Sequence, residues 1–169
     1  MPKTIAEERI KLVCLSTRPA NPAAPTTAEL TAGTDLSLKV LFSDFRLSPT
    51  ASDTLNEPAL GEGGNSSVAG KSNYEGNLSL FRFLDDGGEP IALEDDGWEL
   101  MKAKGTDLHF YKRIGPVHTT PFASGQDVEY YHAQTDNPQD PQDLAGYIKK
   151  VIPLLVQGDS DIHAKVGGA

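Results

Sequence analysis

The side chains best suited to chemistry are the four histidines of the chain: His109, His118, His132 and His163. No two of them have the i, i+4 spacing that lets one element present a pair of metal ligands. His109 and His132 could still meet across neighbouring strands, where they would serve as a metal pair or a general base. We favour the simpler interpretation that these histidines occupy partly exposed strand positions.

A second group of reactive side chains is acidic and surrounds a turn: Asp85, Asp86, Glu89, Glu94, Asp95 and Asp96. Such a cluster could bind a divalent cation or supply a pair of catalytic acids. It lacks the alternating carboxylates, the central glycine and the terminal glutamate of an EF-hand loop. Acids at a helix start are favoured by the helix dipole, and the others are typical of a solvated turn. The sequence therefore predicts no metal site here.

The sequence contains no other catalytic signature. It has no Walker loop, no G-x-S-x-G elbow and no dinucleotide fingerprint, and neither a lysine nor a helix follows the glycines of "GEGGNSS" at 61–67. The single cysteine, Cys14, lies in an apolar run and has no second cysteine to pair with. We predict that the protein is not an enzyme and uses no cofactor. An acid hydrolase stays an alternative only if two carboxyl groups converge in a cleft.

Length and charge limit the remaining classes of protein. A chain of 169 residues is most economically one domain, 1–169, that buries a sizeable core. The N-terminus lacks the apolar segment of a secretion signal, and no run reaches the ~18 apolar residues of a membrane span, so we expect no membrane anchor. A net charge of −9 is the opposite of the clustered lysine and arginine that bind nucleic acid phosphates.

The elements that would position these residues are mainly strands. Apolar patterning predicts strands within the ranges 13–16, 36–47, 73–84, 107–114, 127–135 and 146–158. Pro153 in the last range favours an edge strand or a bulge. One helix is predicted at 92–105 and one short helical turn before Gly33. The pattern indicates a mainly antiparallel β-sandwich or barrel with one flanking α-helix.

Two segments do not read as regular elements of a compact fold. Residues 1–33 are expected to form a largely extended N-terminal segment, because several prolines follow the first strand. The stretch 48–71 is rich in Ser, Pro, Gly and Asn and has no sustained period, which predicts a long polar loop. A loop of this length needs a functional explanation.

The strand "NYEGNLSLFRFL" at 73–84 is apolar on both of its faces. Alternation places the leucines on one face and the phenylalanines on the other: Leu78, Leu80 and Leu84 against Phe81 and Phe83. One face belongs to the core, and the other requires cover from another element or another chain. Either Leu80→Asp or Phe81→Asp is then expected to unfold the monomer, and the other to block assembly of a folded monomer.

The chain resembles the major tail tube proteins of long-tailed bacteriophages, especially those that infect actinobacteria. The resemblance covers about 34–164 and rests on the order of four segments: "TDLSLKVLFSDFRLSPTASDTLNEPAL", "KSNYEGNLSLFRFLDDGGEP", "LMKAKGTDLHFYKRIG" and "VEYYHAQTDNPQDPQDLAGYIKKVIPLLVQGD". It implies the phage tail tube fold. It also implies a structural virion protein, made in the host cytoplasm, that forms stacked hexameric rings.

The same resemblance implies the partners of the protein. The rings would form a hollow, non-contractile tube around a tape measure protein, with tail terminator and distal tail proteins as further neighbours. DNA would pass through the lumen into the host without specific binding. The net charge of −9 suits this role, because a negative wall repels phosphates. The loop at 48–71 would be an inter-subunit arm that becomes ordered on assembly.

The tail tube interpretation assigns candidate residues to two roles. The candidates for inter-subunit contact are apolar, aromatic or proline residues of the loop and the strand: Pro49, Leu55, Pro58, Leu60, Tyr74, Phe81 and Phe83. The candidates for the lumen lining are four acids near or within strands: Glu75, Asp107, Asp127 and Glu129. Alternation divides the acids between two faces but leaves open which face is inside.

A function of a different class stays open from the sequence, namely a monomeric β-sandwich module that binds a ligand such as a carbohydrate. Trp98, or Tyr130 and Tyr131, would then be the stacking platforms. Trp98 on a helix is more often a core anchor, and neighbouring tyrosines on a strand face opposite sides. Tubes or rings in electron micrographs would favour the tail tube over the binding module.

Overall fold

The structure is a computed structural model that describes residues 3–61, 63–64 and 67–168. The strands of this described part are β1 (Ile10–Leu15), β2 (Thr34–Asp35), β3 (Arg46–Thr50), β4 (Thr54–Leu55), β5 (Val68–Ala69), β6 (Asn73–Phe81), β7 (Asp107–Ile114), β8 (Glu129–Thr135) and β9 (Lys149–Val156). Two short helices, α1 (Thr27–Ala32) and α2 (Asp96–Met101), and a 3-10 turn at Phe42–Asp44 accompany them.

Seven strands form one antiparallel sheet in the order β2-β1-β7-β8-β9-β6-β3, and β4 pairs with β5 apart from it. Neighbours in the sheet are distant along the chain: Ile10 of β1 pairs with Ile114 of β7, and Gly76 of β6 pairs with Leu154 of β9. The predicted mainly antiparallel β fold is confirmed. The N-terminal segment, expected to be largely extended, contains β1 and α1.

The segment between β2 and β3 joins the two edges of the sheet. At its start, the N–H of Leu36 donates to the carbonyl of Leu12 in β1 at 2.8 Å. Further along, the N–H of Leu41 donates to the carbonyl of Ser79 in β6 at 2.9 Å. Because one continuous segment bonds first to β1 and then to β6, it closes the sheet into a barrel.

This closure overturns the predicted strand at 36–47. The chain turns after Leu36, whose carbonyl accepts from the N–H of Lys39 at 3.0 Å, and then forms the 3-10 turn before β3 begins. Leu36 is fully buried, whereas Leu38 is 74% exposed. The period-two alternation of Leu36, Leu38 and Val40 therefore does not describe one face of a strand, because the turn reverses the direction of the chain between them.

Two apolar clusters cover the two faces of the sheet. The barrel interior contains Leu12, Cys14, Leu36, Leu47, Leu78, Leu80, Met101, Leu108, Phe110, Tyr131, Ala133, Ile152 and Leu154. The outer cluster, beneath α1 and the C-terminal segment, contains Val13, Leu15, Leu30, Tyr111, Phe122, Val128, Tyr130, Ala164 and Val166. Successive residues of β1, β7 and β8 alternate between the clusters, as the pleat of a strand requires. The central strands are therefore buried on both faces.

The sequence predicted one helix at 92–105 and one short helical turn before Gly33, and the structure has a short helix in each region. Helix α1 begins with a capping box, in which the Thr26 hydroxyl accepts from the N–H of Glu29 and the Glu29 carboxylate accepts from the N–H of Thr26. It ends before Gly33, as predicted. Helix α2 is only six residues long. A Cβ on Gly97 would lie 3.1 Å from side-chain carbons of Leu36 and Leu80, so this glycine permits the close approach of α2 to the barrel.

Strand β9 is an internal strand, so the edge position predicted from Pro153 is wrong. Pro153 pairs with Asn77 of β6 on one side. On the other side its carbonyl accepts from the N–H of Asp136 at 3.0 Å, just beyond the end of β8 at Thr135. The missing N–H of the proline thus faces a position where the regular ladder with β8 has already ended.

The stretch predicted as a long polar loop at 48–71 contains regular structure. Its first residues belong to β3, and the remainder carries the β4–β5 hairpin, in which Leu55 pairs with Val68. We call residues 51–72 the hairpin arm. All of its described residues are exposed. Glu62, Asn65 and Ser66, which belong to the "GEGGNSS" sequence predicted as part of the loop, lie outside the described residues.

Candidate assembly surfaces

The hairpin arm presents large apolar side chains to solvent. Leu55 is 59% exposed, Leu60 108% and Val68 63%. Pro58 and, in β3, Pro49 are also exposed. Apolar side chains that contact no core of their own chain are typical of surfaces that bind another molecule.

A second exposed apolar surface lies beyond the end of β6 and lines a groove of about 400 Å³. We call it the apolar patch, and its residues are Leu38, Phe81, Phe83, Leu84, Ile91 and Tyr147. Leu38 is 74% and Tyr147 83% exposed, and the Tyr147 ring meets the ring of Phe81 edge-on at 5.9 Å between centroids. The patch combines side chains from three separate segments of the chain.

The alternation of β6 assigns its two apolar faces. Leu78 and Leu80 are fully buried in the barrel interior, whereas Phe81 points to the apolar patch. The predicted separation of leucines and phenylalanines onto opposite faces is wrong beyond Phe81. Strand β6 ends at that residue, and both Phe83 and Leu84 line the same groove.

Tyr74, the third aromatic candidate for inter-subunit contact, packs within the barrel. Its ring packs edge-on against Tyr131 at 6.3 Å, and its hydroxyl donates to the carbonyl of Ser160 at 3.3 Å.

A buried ion pair fixes one wall of the groove. Asp95 is 2% exposed and accepts hydrogen bonds from Nε and Nη2 of Arg82, the latter at 2.8 Å, and from the N–H of Phe83 at 3.0 Å. The guanidinium of Arg82 also lies over the Trp98 ring at 4.3 Å. Asp95 stands at the start of α2, where acids were expected, but its carboxylate is buried in an ion pair and is not solvated. It anchors the segment that carries the patch.

Three other members of the acidic cluster, Asp85, Asp86 and Glu89, form the tip of a second hairpin. The N–H of Ile91 donates to the carbonyl of Phe83 at 2.9 Å, and the N–H of Asp85 donates to the carbonyl of Glu89 at 2.9 Å. The Asp85 carboxylate also accepts from the N–H groups of Gly87 and Glu89, both at 2.9 Å. Asp85, Asp86 and Glu89 are exposed, as expected for a solvated turn.

Each of the four acids predicted to line a lumen has a basic partner in the same chain. Glu75 pairs with Arg46, Asp107 with His132, Asp127 with Lys165, and Glu129 with Lys112. The acids do not share one surface. Glu129 pairs across the strand with Lys112, whose Nζ reaches the carbonyl of Leu47 on β3, whereas Asp107 lies on the opposite face of β7. Sequence periodicity could not reveal these pairings.

The histidines that could meet across strands do meet. His109 and His132 are direct partners on β7 and β8, and their ring centroids are 4.9 Å apart. His109 is buried rather than partly exposed, with 3% of its surface accessible. Burial lowers the pKa of His109. Burial would also lower the pKa of His132, but hydrogen bonds to Asp107 and Asp159 outweigh it and raise that pKa above its usual value.

The residues predicted as stacking platforms of a binding module are not available to a ligand. Tyr130 and Tyr131 lie on opposite faces of β8, as expected, but both are fully buried. Trp98 packs against the interior cluster and is covered by Arg82. The structure therefore places all three aromatic side chains in the architecture of the barrel.

A barrel that leaves a projecting apolar arm and an apolar patch in solvent is typical of a subunit of a larger assembly. Comparison with known protein families identifies the kind of assembly. The model for the phage tail tube protein family matches residues 1–169, and the chain belongs to that family. It is thus a structural protein of the phage tail, and its place is the tail of the virion.

Comparison with solved structures gives a match with 17% sequence identity and a TM-score of 0.49. It is a chain of the cryo-EM structure of the anti-feeding prophage baseplate, 6-fold symmetrised, and the alignment covers 99% of this chain and 98% of that one. No curated protein sequence gives a significant match. In the described part of the chain, neither helix has the length and apolar character needed to cross a membrane.

Proposed function

We propose that this protein assembles into hexameric rings that stack into a hollow, non-contractile tail tube, through which DNA passes into the host. The observation that carries the proposal is the presence of two different exposed apolar surfaces, the hairpin arm and the apolar patch, on a chain of the tail tube family. Contacts between two different surfaces are heterologous, and heterologous contacts generate rings when the rotation closes.

In this proposal the hairpin arm of one subunit covers the apolar patch of the next. The arm offers Leu55, Leu60 and Val68, and the patch offers a groove with exposed Leu38 and Tyr147. Burying these side chains removes apolar surface from water on both partners, at about 25 cal/mol per Å². The arm residues then have the packed surroundings that they lack in the single chain.

The charge of the protein suits a channel for DNA. Each subunit carries a net charge of −9, so a ring concentrates negative charge and offers phosphates no cationic groove. Glu75, Asp127 and Glu129, whose partners are Arg46, Lys165 and Lys112, contribute less to such a field than unpaired acids would. Asp86 and Glu94 have exposed carboxylates without an ion pair among the described residues, which makes the 85–94 region a further candidate for the negative wall. A tape measure protein, a tail terminator and distal tail proteins are the proposed neighbours of the tube.

Electron microscopy of the concentrated, negatively stained protein tests the assembly. Rings or tubes are expected from the unchanged chain. Leu60→Asp in the arm and Tyr147→Asp in the patch are expected to leave folded monomers, whereas the matched control Ile5→Asp, at a position 68% exposed, is expected to assemble. Sedimentation analysis and circular dichroism measure mass and folding in parallel.

Three outcomes would contradict the proposal. The first is a strictly monomeric chain at high concentration, with or without seeds. The second is assembly that neither Leu60→Asp nor Tyr147→Asp disturbs, which would leave rings in place but overturn the arm-to-patch contact. The third is loss of assembly in Ile5→Asp alone, which would show that the interface lies at the N-terminal segment and not at the arm and the patch.

A further inference from the structure

Three potential metal ligands converge on the outer face of the barrel, on the neighbouring strands β7 and β8. The rings of His109 and His132 stack at 23°. Asp107 lies on the same face of β7, and its Oδ1 is 2.7 Å from Nε2 of His132. One ligand atom from each of the three residues lies within 4.8 Å of the others.

The Nδ1 atoms of both rings already have oxygen partners. Nδ1 of His109 is 2.9 Å from the hydroxyl of Tyr130, and Nδ1 of His132 is 2.7 Å from Oδ1 of Asp159. Histidines that bind metals almost always engage their second nitrogen in this way, because the contact fixes the tautomer and the orientation of the ring. The arrangement leaves Nε2 of each ring and the carboxylate of Asp107 for a cation.

We propose that Asp107, His109 and His132 form a binding site for a divalent transition metal ion, with zinc as the best match. Two imidazoles and one carboxylate suit zinc and its neighbours rather than magnesium or calcium, which prefer oxygen ligands. Around a tetrahedral zinc ion the ligand atoms lie about 3.3 Å apart, given Zn–N distances of about 2.0–2.1 Å. The distance of 2.7 Å between Oδ1 of Asp107 and Nε2 of His132 is shorter than this spacing. The distances among the ligand atoms of all three residues extend up to 4.8 Å, which is longer.

Binding requires only small movements of these side chains. His109 is held by burial at 3% exposure, whereas the Asp107 side chain is 53% exposed and free to shift. The ion takes the place of the proton between Nε2 of His132 and Asp107, and that proton leaves to solvent. Water occupies the fourth position. The ion then joins β7 to β8, and Asp159, through His132, joins both strands to the turn after β9.

This site is separate from the two surfaces proposed to join the subunits, although Asp107 is also a candidate for the lumen lining. None of its three ligands belongs to the hairpin arm or the apolar patch, so metal binding is measured on a folded monomer as well as on tubes. The natural probes are Co²⁺, which reports its geometry through visible absorption, and Zn²⁺ in competition with a chromophoric chelator. Mg²⁺ is the control ion, since it prefers oxygen ligands and octahedral geometry.

Saturable binding of one Co²⁺ or Zn²⁺ per chain is expected after removal of adventitious metal with a chelator. Asp107→Asn and His132→Asn are expected to abolish saturable binding. Asp159→Asn is expected to weaken it about 10- to 100-fold, because it removes the partner that orients His132. Two histidines outside the site serve as controls: His163→Asn, at an exposed position, and His118→Asn, at a half-buried one. Both variants are expected to bind as the unchanged chain does.

The proposal is overturned if the folded, unchanged chain shows no saturable binding of either ion. It is also overturned if Asp107→Asn binds as tightly as the unchanged chain, or if stoichiometry falls in His118→Asn or His163→Asn instead. Circular dichroism of each variant separates lost ligation from lost folding. Asp107→Asn gives the decisive comparison, because it alters an exposed side chain and preserves its shape.

Discussion

Leu80 and Phe81 are neighbours on β6, and replacing each by alanine measures which face of the strand belongs to the core. Leu80 is fully buried in the barrel interior, and its side-chain carbons approach Gly97 of α2 closely. Leu80→Ala leaves a cavity that the closed barrel cannot fill, at a cost of about 2–5 kcal/mol in the free energy of unfolding. Phe81 is half-buried against Tyr147, so Phe81→Ala is expected to cost about 1 kcal/mol.

Urea unfolding of the monomer, followed by the fluorescence of the single tryptophan, gives both values. Trp98 is a suitable probe because it packs against the interior cluster. Equal losses for the two variants, or a larger loss for Phe81→Ala, would refute the assignment of faces. The aspartate pair extends the test: Leu80→Asp is expected to unfold the chain, and Phe81→Asp to leave a folded monomer that does not assemble.

Three further substitutions examine the contacts that hold the barrel and its patch. Asp95→Asn leaves the guanidinium of Arg82 without its buried partner and is expected to lower the free energy of unfolding by about 3 kcal/mol in urea titration; a loss below about 0.5 kcal/mol would show that water replaces the carboxylate. Thr26→Ala removes the cap of α1 and is expected to cost about 1 kcal/mol, measured as a lower melting temperature, with Thr31→Ala as the control in the same helix. Gly97→Val forces side-chain atoms against Leu36 and Leu80 and is expected to cost about 1–3 kcal/mol by calorimetry, whereas unchanged stability would mean that α2 is free to move away from the barrel.

The sequence predicted β7 and β8 well because their residues are buried on both faces and the apolar signal is strong. Strand β7 has its predicted bounds, Asp107–Ile114, and β8 begins two residues later than predicted, at Glu129. The closing segment was predicted poorly for a physical reason. The segment bonds first to β1 and then to β6, which are distant from each other along the chain. The turn after Leu36, which lets the segment pass from one strand to the other, contains neither proline nor glycine, so the sequence carries no turn signal there.

The candidate surfaces were predicted in part. Composition singled out 48–71, and the apolar excess of 73–84 singled out Phe81 and Phe83, but neither pattern indicated that Leu38 and Tyr147 would complete the apolar patch. The Arg82–Asp95 pair was missed because a carboxylate beside a turn looks solvated until the fold buries it. The contact between His109 and His132 was recognised as possible, and only the register of β7 and β8 decides it.

The barrel closure also determines when this chain can fold during synthesis. Strand β1 must wait for β7, since Ile10 pairs with Ile114, and β6 must wait for β9, since Gly76 pairs with Leu154. Long-range pairings of this kind carry a high loop-closure cost and fold slowly. The first half of the chain therefore leaves the ribosome with β1 paired only to β2 and β6 only to β3. One edge of β6 stays open until the last strand has emerged. A chain interrupted before β9 has no closed barrel. In the proposed tube, the topology itself would then keep incomplete subunits out.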